Sequence, residues 1–191
     1  MRIARMLSPV HSLGPGERVG LWLQGCAQNC PDCISPELRP VAGAETEEGL
    51  LADILLHTAS LGKCAGLTVS GGEPFLQADA LLRLLDLVRD GFEDILVYTG
   101  YTLEELRRGA CGPAGEECLN KIDVLIDGPY VRERNRPDCV LRGSDNQTIH
   151  YLNRSAAGRY GAYLARGRIL ESFSHDGAVI LTGIPDRRDN I

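Results

Sequence analysis

The chain has 191 residues, 43% of them apolar and 24% charged, with a formal net charge of −6. That length suits a single domain, 1–191, which buries roughly 70% of its unfolded surface and needs neither disulfides nor a structural metal to fold. The acidic balance argues against a nucleic-acid partner, since phosphate binding asks for a basic face, and no window of about 20 residues is free enough of charge to cross a membrane.

In chain order, strands and helices alternate. Arg2 to Ser8 reads as a first strand, and Pro9 and Gly14 interrupt it before any signal-peptide h-region forms. Gly14-Pro15-Gly16 is a turn, and Val19 to Gln24 a buried strand. A loop at 25–34 carries Cys26, Cys30 and Cys33. Thr46 to Leu61 has helical spacing of Leu50, Leu51, Ile54 and Leu55, with Thr46 as N-cap and Gly62 as stop. Gly66 to Ser70 is a short strand. Gln77 to Asp90 is an amphipathic helix with Leu81, Leu84, Leu85 and Val88 on one face. Ile95 to Tyr98 is a strand, Leu103 to Arg108 a helix and Val124 to Ile126 a strand.

After Pro129 the alternation fades. Arg132 to Asp145 is polar loop, in which Arg132, Arg134 and Arg136 offer either a local basic pocket or a solvated edge. Gln147 to Leu152 and Ala178 to Leu181 read as further strands, and 150–191 is the least defined part. The expected fold is α/β, with a parallel sheet, right-handed crossovers and chemistry at the carboxyl ends of the strands.

Seven cysteines are an odd number. In a chain expected to stay in the cytoplasm, grouped thiols point to metal or redox chemistry rather than disulfides. Gln24-Gly25-Cys26-Ala27-Gln28-Asn29-Cys30-Pro31-Asp32-Cys33 spaces its thiols C-x3-C-x2-C. Three thiolates on one tight loop can hold three irons of a cubane and leave the fourth open to a ligand. Equally, with a fourth ligand from Cys64, Cys139 or a histidine, they can make a zinc site. Cys64, Cys111, Cys118 and Cys139 show no metal spacing among themselves, and Cys111 and Cys118 flank a Gly/Pro loop. His11, His57, His150 and His175 are scattered, and Trp22 reads as core packing.

Ser70-Gly71-Gly72-Glu73-Pro74 follows the third strand. Two glycines let main chain approach a ligand, and Glu73 can accept from an ammonium group; alone, the run also reads as a plain turn. Cysteine loop and Gly-Gly-Glu run, in this order, resemble the radical S-adenosylmethionine (SAM) superfamily. Many of its members carry an aromatic residue where this chain has Asp32, although small activating enzymes often lack it. Val97-Tyr98-Thr99-Gly100-Tyr101, Asp123 to Tyr130 and Leu141 to Gln147 extend the resemblance, from about Val19 to Ile149, to the anaerobic ribonucleotide reductase activating enzymes.

The resemblance implies a partial, open (β/α) barrel with a mostly parallel sheet. It implies a [4Fe–4S] cluster on Cys26, Cys30 and Cys33, with the methionyl amine and carboxylate of SAM on the fourth iron. Gly71, Gly72 and Glu73 would meet the methionine amine. By residue chemistry, Thr99, Asp127, Ser144 and Asn146 can hold ribose hydroxyls and the methionine carboxylate and Arg142 can pair with that carboxylate, or each is a turn residue bonding its own backbone. A flavodoxin- or ferredoxin-type donor would reduce the cluster. The 5′-deoxyadenosyl radical released from SAM would take a hydrogen atom from a glycine of a large glycyl radical enzyme, with no side chain needed as acid or base. Two other functions stay open from the residues: a radical SAM enzyme acting on a peptide or small molecule, and a non-catalytic zinc- or cluster-binding interaction module.

Overall fold

The structure is a computed structural model and describes residues 1–175 and 177–185; the side chains of His175 and Ala178 lie outside the described set. Eight strands and five α-helices are described. β1 (Ile3–Val10), β2 (Arg18–Leu23), β3 (Gly66–Gly71), β4 (Asp94–Tyr98), β5 (Val124–Asp127) and β6 (Thr148–Tyr151) form one sheet in that order, and β7 (Leu170–His175) and β8 (Ala178–Gly183) form a separate hairpin. β2 through β5 are parallel. β1 and β6 run antiparallel at the two edges, so the sheet is mostly parallel, as expected, with an antiparallel strand at each edge. The connection from Val10 to Arg18 spans only a turn, too short for a parallel crossover. The sheet is mixed, mostly parallel and open, with no closed barrel among the described residues.

Sequential strand order with crossovers of one hand puts every connecting helix on one face. α1 (Glu48–Gly62), α2 (Ala78–Val88), α3 (Leu103–Arg107) and α4 (Gly112–Cys118) all pack there, against Val19, Leu21, Leu23, Leu67, Val69, Ile95, Val97 and Leu125. The alternate residues of the same strands face the other way. Leu96, Val124 and Ile126 meet Val140, Leu141 and α5 (Ala157–Leu164), whose Tyr160 and Tyr163 are buried. This second face also holds Arg18, wholly buried, which donates to Thr68 Oγ1 at 2.6 Å, to the Leu67 carbonyl at 2.7 Å and to Asp94 Oδ1 at 3.0 Å. Tyr160 adds a hydroxyl bond of 2.6 Å to Asp94 Oδ2. Arg18, Leu67 and Asp94 sit toward the amino ends of β2, β3 and β4, away from the carboxyl ends.

Boundaries differ where side chains outside the local window decide. α1 starts at Glu48 with Glu47, not Thr46, as N-cap; the Glu47 carboxylate accepts from Gly49 N (3.0 Å) and Leu50 N (2.8 Å). Thr46 is taken by the chain start, its N–H donating to the Met1 carbonyl at 2.8 Å. The helix stops at Lys63, in the left-handed region at φ 51°. α4, α5 and β7 stand where the sequence reading had placed none. α4 and α5 each carry glycines that mute helical periodicity.

Candidate functional site

The carboxyl ends of β2, β3 and β4 and the loops after them surround a cavity of about 260 Å³. Cys26, Cys30 and Cys33 line it together with Ser70, Gly71, Gly72, Glu73, Thr99 and Gly100. All three thiols are unpaired and half-buried.

The cysteine loop is fastened by main chain on two sides. Gly25 N donates to the Leu38 carbonyl at 2.8 Å and Cys26 N to that of Arg39 at 2.9 Å. From the other side, Glu73 N donates to the Gly25 carbonyl at 2.8 Å, and Gly72 N to that of Leu23 at 2.8 Å. The two glycines are required by this contact: a Cβ on Gly71 would lie 2.3 Å from Leu23 N, and one on Gly72 2.1 Å from the Gly25 carbonyl oxygen. Gly71 also has φ 112°. Asn29 and Asp32 turn the loop in the left-handed region, at φ 48° and 55°.

Side chains complete the mount. Arg39 donates to Asn29 Oδ1 at 3.2 Å and to the Cys30 carbonyl. Gln24 Nε2 donates to the carbonyls of Pro40 (2.8 Å) and Glu37 (3.2 Å). Asp32, where an aromatic residue is common in the resembled superfamily, pairs with Arg132 at 2.7 Å. Arg134 and Arg136 both pair with Asp145. Each of the alternating arginines is thus paired with a carboxylate, two of them sharing Asp145.

Glu73 is 1% exposed, and its carboxylate already has three donors. Oε1 accepts from Phe75 N (3.0 Å) and the Thr99 hydroxyl (2.8 Å), and Oε2 from Gly100 N (2.8 Å). Burial pushes its pKa up, and these three bonds work against the rise. The residue joins the ends of β3 and β4. Of its roughly four acceptor positions three are used, so it has room for one further donor.

The remaining sequence candidates lie apart from the cavity lining. Strand alternation sets Asp127 with Leu125 on the helix-covered face, where its carboxylate accepts from Leu103 N (2.6 Å) and stands 2.9 Å from His150 Nε2. Ser144 is buried and accepts from Val131 N at 3.1 Å; Asn146 donates to the Pro129 carbonyl at 2.8 Å. Arg142 donates to the Gln147 carbonyl at 3.1 Å, and its Nε is buried without a partner among the described residues. Gln147 does reach the cavity. Its Oε1 accepts from Gly143 N at 2.7 Å and its Nε2 donates to the Gly128 carbonyl at 2.8 Å. Trp22, read as core, lines the cavity instead, its ring over Gly20. Arg39, Gln24 and Gln147 were missed because no short motif marks a residue that bonds main chain from a distance.

The donor set fits an iron–sulfur cluster. Thiolate sulfur is the soft ligand such clusters use. Burial pushes the Cys26 thiol up, while the Gln28 and Asn29 N–H groups donate to its sulfur and favour the anion. Among the described residues no three His, Cys, Asp or Glu side chains close on one point as ligands of a single ion would. Cys64, Cys118 and Cys139 are buried away from this loop: Cys64 meets the Ser8 hydroxyl at 3.2 Å, and Cys118 the Ala78 carbonyl at 3.7 Å.

Residues 12–150 match the model of the 4Fe-4S single cluster domain. The anaerobic ribonucleoside-triphosphate reductase-activating protein of Escherichia coli (strain K12) is 31% identical over 145 residues, covering 73% of this chain and 91% of that protein. The protein of the same name from Vibrio cholerae is 34% identical over 146 residues, covering 72% and 89%. That of Enterobacteria phage T4 is 32% identical over 141 residues, covering 71% and 85%. No described helix is long and apolar enough to cross a membrane. On that span and identity, the chain belongs to the 4Fe-4S single cluster domain family, among the anaerobic ribonucleoside-triphosphate reductase-activating proteins.

Proposed function

We propose that the chain is a cytoplasmic radical SAM enzyme that activates an anaerobic ribonucleotide reductase by taking a hydrogen atom from one of its glycines. The observation that carries this reading is the shared cavity: three free thiols and the Gly71-Gly72-Glu73 run line it together, bonded to each other through main chain. The names of the relatives support the choice of target.

Cys26, Cys30 and Cys33 would hold a [4Fe–4S] cluster with one iron left for the methionyl amine and carboxylate of SAM. Reduced by one electron from a flavodoxin- or ferredoxin-type donor, the cluster with SAM supplies a 5′-deoxyadenosyl radical, methionine being the other product. The residues of this chain bind and orient. Gly71 and Gly72 bring main chain to the methionine end, and Glu73 offers its remaining acceptor position to the ammonium group. Thr99 keeps Glu73 in place. Gly128, Gly143 and Gln147 form the wall on which the nucleoside would lie, and Asp127, Arg142, Ser144 and Asn146 would act on it through the loops they fasten rather than by direct contact.

Anaerobically reconstituted, dithionite-reduced protein should form 5′-deoxyadenosine from SAM, and a Cys30→Ala variant should not. Bound zinc with no iron would instead identify a metal-binding interaction module. SAM cleavage without a glycyl radical on the reductase would point to a peptide or small-molecule substrate.

A further inference from the structure

The family match ends at residue 150, yet five residues beyond it, Leu181 to Pro185, line the same cavity as the cysteines. They belong to β8 and the two residues after it. A strand that turns one face to a cavity contributes alternate residues, because successive side chains point to opposite sides. Three of the five, Leu181 to Gly183, are consecutive strand residues, and the Thr182 hydroxyl is engaged by Ser12, so main chain as well as side chain of β8 reaches the cavity. Among the described residues β8 pairs with β7 alone, and no described strand lies beside its other edge.

This wall is held at both ends. The Ser12 and Thr182 hydroxyls are 2.9 Å apart. Glu171 accepts from the N–H groups of His11 (2.8 Å) and Ser12 (2.6 Å). Asn135 Nδ2 donates to the Pro185 carbonyl at 3.3 Å, and Arg168 bonds the same carbonyl and Asn135 Oδ1. The hairpin therefore joins the β1–β2 turn to the loop after β5, across the open side of the sheet.

Two further features describe what fits there. Ile34 of the cysteine loop and Leu181 of β8 line the cavity from different elements and stay 64% and 47% exposed. Large apolar side chains left uncovered at a cavity rim mark a contact surface. Trp22, Tyr98 and Tyr130 line it as well, so aromatic surface stands beside the glycines Gly100 and Gly128.

We propose that the unpaired edge of β8 from Leu181 to Gly183 receives an extended, glycine-bearing segment of the protein substrate as an added strand. This rests on the activase reading above and names how the substrate is held. Main-chain bonds to the edge would supply affinity, as in other strand-addition complexes. Ile34 and Leu181 would grip the side chains flanking the glycine.

Hydrogen exchange of the reconstituted, SAM-loaded full chain, with and without the anaerobic ribonucleotide reductase of the same organism, tests this. With the reductase bound, as shown by co-sedimentation, those amides of 181–183 that point away from β7 should slow at least about tenfold while those of β3 and β4 stay unchanged, and Leu181→Asp should weaken co-sedimentation by about tenfold. Unchanged or faster exchange at 181–183 in a bound complex overturns strand addition, the faster case meaning that the hairpin swings aside. If the reductase neither binds nor acquires a radical while 5′-deoxyadenosine still forms, the activase reading fails and this proposal falls with it.

Discussion

The Gly25 carbonyl oxygen accepts the Glu73 amide at 2.8 Å and lies where a Cβ on Gly72 would come within 2.1 Å of it. The cysteine loop and the Gly71-Gly72-Glu73 run, separated in sequence by a helix and a strand, are thus in main-chain contact. A methyl group on Gly72 cannot be absorbed by a side-chain rotation, because the atom it meets is backbone. Gly72→Ala should push the cysteine loop outward and lower iron retained after reconstitution, to less than about half of wild type, as a strained backbone contact of this kind costs on the order of 1–3 kcal/mol. Iron and sulfide analysis beside the thermal midpoint separates loss of cluster from loss of fold. Full iron occupancy would contradict the assigned contact.

Arg39 holds the loop without being a ligand. It bonds the Cys30 carbonyl and Asn29 Oδ1 from a segment that also accepts the Cys26 amide. Arg39→Ala should leave the chain folded, with a stability loss of about 1–2 kcal/mol for lost charge-assisted bonds. Cluster release on exposure to chelator should accelerate several-fold, followed by visible absorbance.

At the opposite end of the strands, Arg18 is wholly buried with Asp94, which is 3% exposed. Removing one member strands the other charge. Arg18→Met should destabilise the apo-chain by about 3–5 kcal/mol, whereas the double variant Arg18→Met, Asp94→Leu should recover part of that loss. Urea denaturation of the single and double variants measures the difference. A single variant as stable as wild type would mean that Asp94 finds a proton or water at little expense.

The hairpin latch depends on pH. Burial pushes Glu171 up, but bonds from Ser12 and His11 outweigh it and hold the carboxyl below its ordinary value. A depressed carboxyl contributes stability that is present above its unfolded pKa of about 4.3 and disappears as pH falls through the folded value. Wild type should therefore be more stable than Glu171→Gln at pH 7, and the gap should close as pH falls below about 4. Thermal midpoints of both apo-chains between these limits check the sign.

Gly161 lies in α5 with nothing within 4 Å of a built Cβ. Gly161→Ala should stabilise by about 0.5–1 kcal/mol, by restricting the unfolded chain and improving helix propensity. A lower thermal midpoint would show that α5 needs the glycine for a contact not seen here.

The local periods were legible from β2 through β5, since alternating apolar residues and the Leu81, Leu84, Leu85, Val88 stripe reflect burial that every sequence window records. So was the cysteine loop, because thiols at short spacing need only one turn of chain to meet. Thr99 stands at a strand end beside the cavity, but its hydroxyl bonds Glu73, a contact that no local pattern marks. Asp127 was not legible either: a strand-end carboxylate reaches either face, and only the register of β5 against β6, Asp127 opposite Thr148, turns it to the helix side. α5 and β7 were equally hidden. Two glycines weaken the helical signal of α5, and its place is decided by Tyr160 reaching Asp94, 66 residues away. What the sequence determined by itself was each segment that buries a face and the chemistry carried on one short loop. What only the tertiary structure decided was which distant groups meet, because those contacts join residues whose separation along the chain no local pattern encodes.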